Sequence, residues 1–170
     1  MTTPPFDPAS TKDIATVSAQ LGRPARNVLG IAARCVCGAP TVVATAPRLD
    51  DNTPFPTLYY LSHPAATAAM SGLEATQVMP VLQDLLATDD EIRSQYQAAH
   101  EQYIANRESI AVVDEIAGIS AGGMPVRVKC LHALAAHALA AGPGVNPIGD
   151  LALAKSDWSP LICQCMEYSV

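Results

Sequence analysis

The stretch VLGIAARCVCGAPTVVATAP, residues 28–47, decides the fold because it contains two β-prone runs on either side of a turn. Branched and small apolar residues fill both runs, and Gly38-Ala39-Pro40 separates them. The pattern predicts a β-hairpin whose tip holds Cys37. A further run, TLYYLS at residues 57–62, is typical of a third strand.

Helical patterns surround these strands. Before the hairpin, Ser10 or Thr11 can cap a short helix that Gly22 ends. After the third strand, residues 65–87 predict two short helices. The capping-box pattern Thr88-Asp89-Asp90-Glu91, with Thr88 as the N-cap, then opens a long helix to about Val112.

The C-terminal part is also helical in pattern. Pro125 suits the first turn of a helix through the apolar KCLHALAAHALA segment, residues 129–140. Asn146-Pro147 begins a last short helix. Strands first and helices after predict an α+β fold, with a small antiparallel sheet of about three strands packed by several helices.

The composition indicates one globular domain. The chain has 170 residues, of which 49% are hydrophobic, so it can bury a core without disulfides. We expect a single domain over residues 10–155, preceded by a flexible lead-in at residues 1–9 and followed by a tail at residues 156–170. A net charge of −6 argues against general nucleic-acid binding, which needs excess Lys and Arg.

No run of eighteen apolar residues and no targeting segment is visible in the sequence. We therefore expect no membrane association and a cytoplasmic location, where thiols stay reduced. Cysteines in that compartment are more often ligands, nucleophiles or buried apolar residues than disulfides.

The cysteines and histidines carry the clearest chemical signal. Cys35 and Cys37 form a Cys-Val-Cys-Gly turn, Cys130 and His132 form Cys-Leu-His, and His63 lies between the two motifs. Sulfur and imidazole ligands gathered in this way suit zinc or an iron–sulfur cluster. We expect a site with the three cysteines and one histidine, with His63 and His132 competing for the fourth position.

The geometry of that site depends on where the last long helix begins. Cys130 and His132 are two residues apart, so on a regular helix they point to different faces. They converge only if the helix begins after Cys130. Buried cysteines that bind nothing would also explain the composition. A second pair, Cys163-Gln164-Cys165, could complete a four-cysteine site with the hairpin pair, although a pair in a tail is more often incidental.

A loop before the apolar helix suggests anion binding. Residues 120–125, SAGGMP, contain Gly122 and Gly123, and Arg127 and Lys129 follow at once. Free backbone N–H groups, a helix start and two cations would suit a phosphate or another small anion. A flexible loop whose cations are solvated and bind no anion would show the same sequence pattern.

Several of these stretches together resemble one family. RCVCGAPTVVATAPRLDDNTPFPTLYYLSHP, AHEQYIANRES and SAGGMPVRVKCLHALAAHALAAGPGVNPIGD are similar to the actinobacterial members of the DUF501 family, a family of unassigned function. The resemblance runs from about Asp13 to Asp150 and leaves out the pair of tail cysteines. It implies that the following are motif residues: Cys35, Gly38, Pro40, Pro56, Thr57, Cys130, His132, His137, Asn146 and Gly149. Many members have Leu-Thr-Cys-Pro where this chain reads Leu61-Ser62-His63-Pro64, which suits a metal ligand at position 63.

Two functions follow from these patterns. The first is a metal-binding module of unknown specific role, whose metal ties the Cys35/Cys37 hairpin to the Cys130 helix and which acts by binding a protein partner. The alternative is an enzyme in which the metal keeps an open position or Cys130 is a nucleophile. The Gly122-Gly123 loop, with Arg127 and Lys129, would then hold a small anionic substrate.

Overall fold

The computed structural model of this chain describes residues 6–165, in which a four-stranded antiparallel sheet is packed by six helices. The strands are β1 (Asp7–Pro8), β2 (Val28–Arg34), β3 (Pro40–Thr45) and β4 (Tyr59–Leu61). The helices are α1 (Thr11–Leu21), α2 (Pro64–Glu74), α3 (Val78–Thr88), α4 (Asp90–Glu108), α5 (Leu131–Ala141) and α6 (Pro147–Lys155). The predicted α+β fold is confirmed, with four strands instead of three.

The strands follow one another across the sheet in the order β1-β2-β3-β4. Ile31 of β2 lies opposite Val43 of β3, and Val42 lies opposite Leu61 of β4. All six residues of β3 are buried, because helices cover both faces of this central strand. This explains why its sequence is nearly continuous in apolar residues instead of alternating.

The two faces of β3 belong to two cores. Val43 packs with Val17 of α1 in a small core on one face. Val42 packs in a much larger core on the other face, to which the remaining helices contribute, with Leu82 and Leu134 fully buried there. The alternating side chains of one strand therefore hold α1 apart from the rest of the helices.

Two helix starts differ from their predicted positions. α4 is capped by Asp89 and not by Thr88, because the Asp89 carboxylate accepts the N–H groups of Glu91 and Ile92. The helix predicted to start at Pro125 begins instead at Leu131, after Cys130 as its N-cap. That later start meets the condition under which Cys130 and His132 can converge.

The predicted lead-in and tail both contact the domain where they are described. Residues 1–5 and 166–170 lie outside the described residues, but Asp7–Pro8 pairs with β2 as its edge strand. Trp158 of the tail is 3% exposed and belongs to the large core. Within residues 6–165, no helix combines the length and the apolar content needed to cross a membrane.

Candidate metal centres

The tip of the β2–β3 hairpin presents two cysteines. The Cys35 N–H donates to the Ala39 carbonyl at 2.8 Å, and the Gly38 N–H donates to the Cys35 carbonyl at 2.8 Å. These bonds close a tight turn in which Gly38 has a φ of 88°, a conformation that glycine adopts without steric cost. The turn leaves Cys35 buried and Cys37 exposed.

The C-terminal tail is anchored beside this tip at two points. The Trp158 ring packs against His63, with 5.5 Å between the ring centroids. Two residues further on, the Pro160 carbonyl accepts the Val36 N–H at 2.9 Å. Because Val36 lies between the two hairpin cysteines, the tail passes directly over the turn.

These anchors bring together the sulfur atoms of four cysteines. Their Sγ atoms all lie within 4.8 Å of one another, and the residues are Cys35, Cys37, Cys163 and Cys165. The Sγ atoms of Cys37 and Cys165 are 3.3 Å apart, well beyond the disulfide bond length of about 2.05 Å. A tetrahedral zinc ion with Zn–S bonds of about 2.3 Å holds its sulfur ligands about 3.8 Å apart. The spacing of the four thiols therefore fits a single ion.

The thiols of this group do not ionise alike. The Ala39 N–H and, after it, the Cys165 thiol lower the pKa of Cys37 to about 7. Burial and then the hydrogen bond to Cys37 raise the pKa of Cys165. Cys37 therefore ionises more readily than Cys165. A divalent cation would compensate the negative charge of further thiolates at this point.

His63 lies beside the four thiols and contacts one of them as a hydrogen-bond donor. The Ala66 N–H donates to His63 Nδ1 at 3.4 Å, so the ring proton lies on Nε2. Nε2 is 3.1 Å from the Cys165 sulfur and can donate to it. Burial lowers the pKa of His63, which favours the neutral ring. The predicted ligand His63 therefore occupies the place of an N–H···S donor beside the cysteine group.

A second group of potential ligands lies where α2 ends and α5 begins. Glu74 is the last residue of α2, and Cys130 caps α5. His132 Nδ1 lies 3.3 Å from Glu74 Oε1 and 4.0 Å from Cys130 Sγ. Hydrogen bonding to Cys130 and the charge of Glu74 raise the pKa of His132 to about 9. Hydrogen bonding to His132 in turn lowers the pKa of Cys130.

The residues predicted for one metal site are thus divided between two places. Cys35 and Cys37 meet the tail cysteines, whereas Cys130 and His132 meet Glu74. The late start of α5 does let Cys130 and His132 converge. They converge toward α2 and not toward the hairpin, because Glu74 accepts the first N–H of α5, that of Leu131, at 2.7 Å.

Sequence reasoning missed Glu74, although α2 carries a signal for it. Thr67, Ser71 and Glu74 follow one another at spacings of four and three residues, so they share one face of the helix. All three contact His132: the Thr67 carbonyl lies 3.1 Å and the Ser71 hydroxyl 3.0 Å from Nε2. The polar stripe on an otherwise apolar helix marks the face that meets α5.

The glycine loop is explained by packing. A Cβ at Gly122 would lie 2.6 Å from Leu134, and one at Gly123 would lie 2.7 Å from the Arg127 carbonyl. The N–H groups of Arg127 and Lys129 donate back to the carbonyls of Gly123 and Gly122. They are therefore engaged within the loop. The helix start expected beside it lies further along the chain, and the anion site over Gly122, Gly123, Arg127 and Lys129 stays a prediction.

His137 and its neighbours form a buried network away from both groups. The Asn146 side-chain amide donates to His137 Nδ1 at 3.1 Å, while its carbonyl oxygen accepts the Gly149 N–H at 2.9 Å. The ring is stacked on Tyr59 at 5.8 Å. Burial lowers the pKa of His137 to about 4. A Cβ on Gly149 would clash with the Leu134 carbonyl of α5, so three predicted motif positions serve packing between α5 and α6.

The fold and its ligand groups define a small α+β protein with two clusters of thiol, imidazole and carboxylate groups. The sequence profile of DUF501, described as a protein of unknown function, matches residues 31–154 of the 170. The chain belongs to this family, which confirms the resemblance seen in its motifs. No curated protein and no solved structure matches the chain. The matched residues include Glu74, Cys130 and His132, whereas the tail cysteines lie beyond them.

Proposed function

We propose that this protein is a metal-binding module in which four cysteines hold one zinc ion at the tip of the β2–β3 hairpin. The ligands are Cys35, Cys37, Cys163 and Cys165. The observation that carries the proposal is the convergence of their four Sγ atoms, all within 4.8 Å of one another. Two of the four come from a tail segment that packs on His63 and is hydrogen-bonded to the hairpin, so the convergence has a structural cause.

The spacing of the thiols favours a single ion over an iron–sulfur cluster. A cluster places several iron and sulfide atoms between its cysteine ligands and so spreads them further apart than one ion does. Four thiolates around one position form the tetrahedral sulfur set that zinc prefers in structural sites. The Nε2–H of His63 donates to one of these sulfurs, as groups around metal ligands commonly do.

A zinc ion with four protein ligands has no open position, so its role here is structural. It would fasten the tail to the hairpin across 128 residues of sequence. We therefore expect the protein to act by binding a partner rather than by chemistry at this ion. The five free cysteines fit a reducing compartment, and we propose a cytoplasmic location.

Metal content measured on protein purified under reducing, oxygen-free conditions tests this function. The double variant Cys163→Ser/Cys165→Ser removes two ligands, and we expect it to bind one zinc fewer per chain than the parent. Gln164→Ala, between the two cysteines and exposed, is the matched control and should keep the zinc of the parent. Val36→Ala serves the same purpose for the hairpin pair, because Val36 is 64% exposed.

Equal zinc in the parent and in the double variant would contradict the proposal. If the parent protein were brown and contained iron with labile sulfide, the four cysteines would hold an iron–sulfur cluster instead of zinc. We expect a colourless parent that contains zinc. The double variant should lose one zinc ion per chain, and neither control variant should lose any.

A further inference from the structure

Three different ligand atoms meet at the junction of α2 and α5. His132 Nδ1, Glu74 Oε1 and Cys130 Sγ all lie within 4.8 Å of one another. They come from a helix end and a helix start whose relative position is fixed by the Leu131 N–H bond to Glu74. This group stands apart from the four cysteines and does not depend on the zinc proposed there.

The orientation of the His132 ring is set from the side opposite these ligands. Nε2 lies 3.1 Å from the Thr67 carbonyl and 3.0 Å from the Ser71 hydroxyl. A carbonyl only accepts, so Nε2 carries a proton. In the neutral ring the free electron pair is then on Nδ1, which faces Glu74 and Cys130. Histidines that bind metals usually donate their other ring N–H to a carbonyl or carboxylate in this way.

The same geometry argues against a nucleophile–base–acid chain. In such a chain the imidazole uses one nitrogen for the nucleophile and the other for the acid. Here Cys130 and Glu74 lie 4.0 Å and 3.3 Å from the same nitrogen of His132, and a backbone carbonyl holds the other. Ligands that converge on one point, instead of forming a line, are the arrangement that a cation requires.

We propose that Glu74, Cys130 and His132 form a second zinc site, with three protein ligands and one open position. One sulfur, one nitrogen and one oxygen make a borderline donor set that zinc accepts readily. The side chains of Glu74 and His132 are 30% and 26% exposed, so solvent reaches the position that the protein leaves free. That position takes water or the oxygen of a small ligand, and this site is the one at which zinc can act chemically.

Zinc stoichiometry in single-site variants tests the proposal on the full chain. Glu74→Gln keeps an oxygen for the Leu131 N–H but is a poor zinc ligand, so the start of α5 is retained. We expect two zinc ions per chain in the parent and one in Glu74→Gln, measured by native mass spectrometry. Glu101→Gln, on the exposed surface of α4, should bind two. His132→Gln provides a second variant that removes a ligand by another route.

The same experiment distinguishes a failure of the four-cysteine proposal from a failure of this one. If the parent binds one zinc that only Cys163→Ser/Cys165→Ser removes, the second site does not exist. If one zinc is bound and only Glu74→Gln or His132→Gln removes it, this site stands and the four-cysteine site falls. Titration of metal-free parent with Co²⁺ gives an independent readout. We expect two phases in the cobalt absorption spectrum, one of which is missing in Glu74→Gln; a single phase unaffected by Glu74→Gln would overturn the second site.

Discussion

The two ligand groups differ both in the atoms that they offer and in the elements that hold them. The hairpin group has four sulfurs, two from the hairpin turn and two from the tail. The α2–α5 group has one sulfur, one nitrogen and one oxygen from two helix ends that pack directly on each other. Four equal ligands close a site around an ion, whereas three unequal ligands leave a position open. Under the two proposals, zinc at the four cysteines is structural, and zinc between the helices can act chemically.

The groups also differ in how they depend on metal. Glu74 and Leu131 are bonded to each other at 2.7 Å without any ion, so the helix junction has protein contacts of its own. Beyond its anchors at Trp158 and Pro160, the tail meets the hairpin tip through the Cys165 sulfur, which lies 3.3 Å from the Cys37 sulfur. Loss of metal should therefore loosen the tail and leave the helix junction in place.

The largest expected effect is on stability when the four-cysteine site is broken. Cys163→Ser/Cys165→Ser should lower the melting temperature by about 10 °C or more, because a structural zinc ion contributes folding free energy directly. Differential scanning calorimetry under reducing conditions measures this. Gln164→Ala should have the melting temperature of the parent. If the double variant also had that melting temperature, the site would have no structural role.

Acid should destabilise the protein through His137, which lies outside both ligand groups. The pKa of His137 is about 4 in the folded protein because the ring is buried, against about 6.5 when the chain is unfolded. Between these values the unfolded chain takes up a proton that the folded protein refuses, so stability falls as the pH drops from about 6.5 to 4. The difference corresponds to about 3 kcal/mol.

Urea unfolding at a series of pH values checks this, with His137→Gln as the comparison. The variant should show a flatter dependence on pH over that interval than the parent. The two histidines differ in their surroundings: His137 is buried with both nitrogens hydrogen-bonded, whereas His132 is part-exposed with Nδ1 facing Glu74 and Cys130. A parent and variant with parallel curves would show that His137 is not the group that resists protonation.

Removing a side chain that orients His132 should have a smaller effect, on zinc affinity. Ser71→Ala removes the hydroxyl 3.0 Å from Nε2 but leaves the Thr67 carbonyl, so zinc affinity at the second site should fall by about tenfold. Zinc affinity at the four-cysteine site should not change. Competition with a chelator of known affinity measures both, and Ser94→Ala, exposed on α4, is the control. An unchanged second-site affinity would mean that Ser71 does not orient the ring.

The smallest effect concerns the support of the hairpin tip. Asp13 receives two charge-assisted hydrogen bonds from Arg34, whose guanidinium also donates to the Gly38 carbonyl at 3.0 Å. Arg34 holds the pKa of Asp13 well below its usual range, so this stabilisation is present at neutral pH and is lost as the pH falls into the acid range. Asp13→Asn should destabilise the protein by about 1 kcal/mol at pH 7.

Chemical denaturation at pH 7 gives the value, and Asp50→Asn at an exposed turn is the control. Because Arg34 also contacts Gly38, the variant should weaken zinc binding at the hairpin slightly while leaving the second site unaffected. If Asp13→Asn and Asp50→Asn unfold at the same denaturant concentration, the ion pair contributes nothing to the tip.

Local signals in the sequence were sufficient for most of the fold. Ser10, one of the two predicted caps, begins α1 and Gly22 ends it as predicted, since a cap and a left-handed glycine act on their own helix. The hairpin was predictable because its turn lies between its strands. The start of α5 was misplaced because the N–H of Leu131 is capped by Glu74, and no pattern near α5 indicates this contact with a residue distant in the sequence.

The ligand groups were predictable only in their residue types. The spacing of Cys35 and Cys37 indicates a metal site. The tail cysteines that join them are placed by the packing of Trp158 and the hydrogen bond to Pro160. These are tertiary contacts without a fixed spacing in the sequence. Glu74 could have been found from the polar stripe on α2. Its pairing with Cys130 depends on how α2 and α5 pack.

X-ray absorption at the zinc edge of the Glu74→Gln variant tests the central claim most directly, because that variant should retain zinc only at the four cysteines. We predict a zinc ion surrounded by four sulfur atoms at about 2.3 Å. A first shell made mainly of nitrogen or oxygen, or a variant that holds no zinc, would contradict the account.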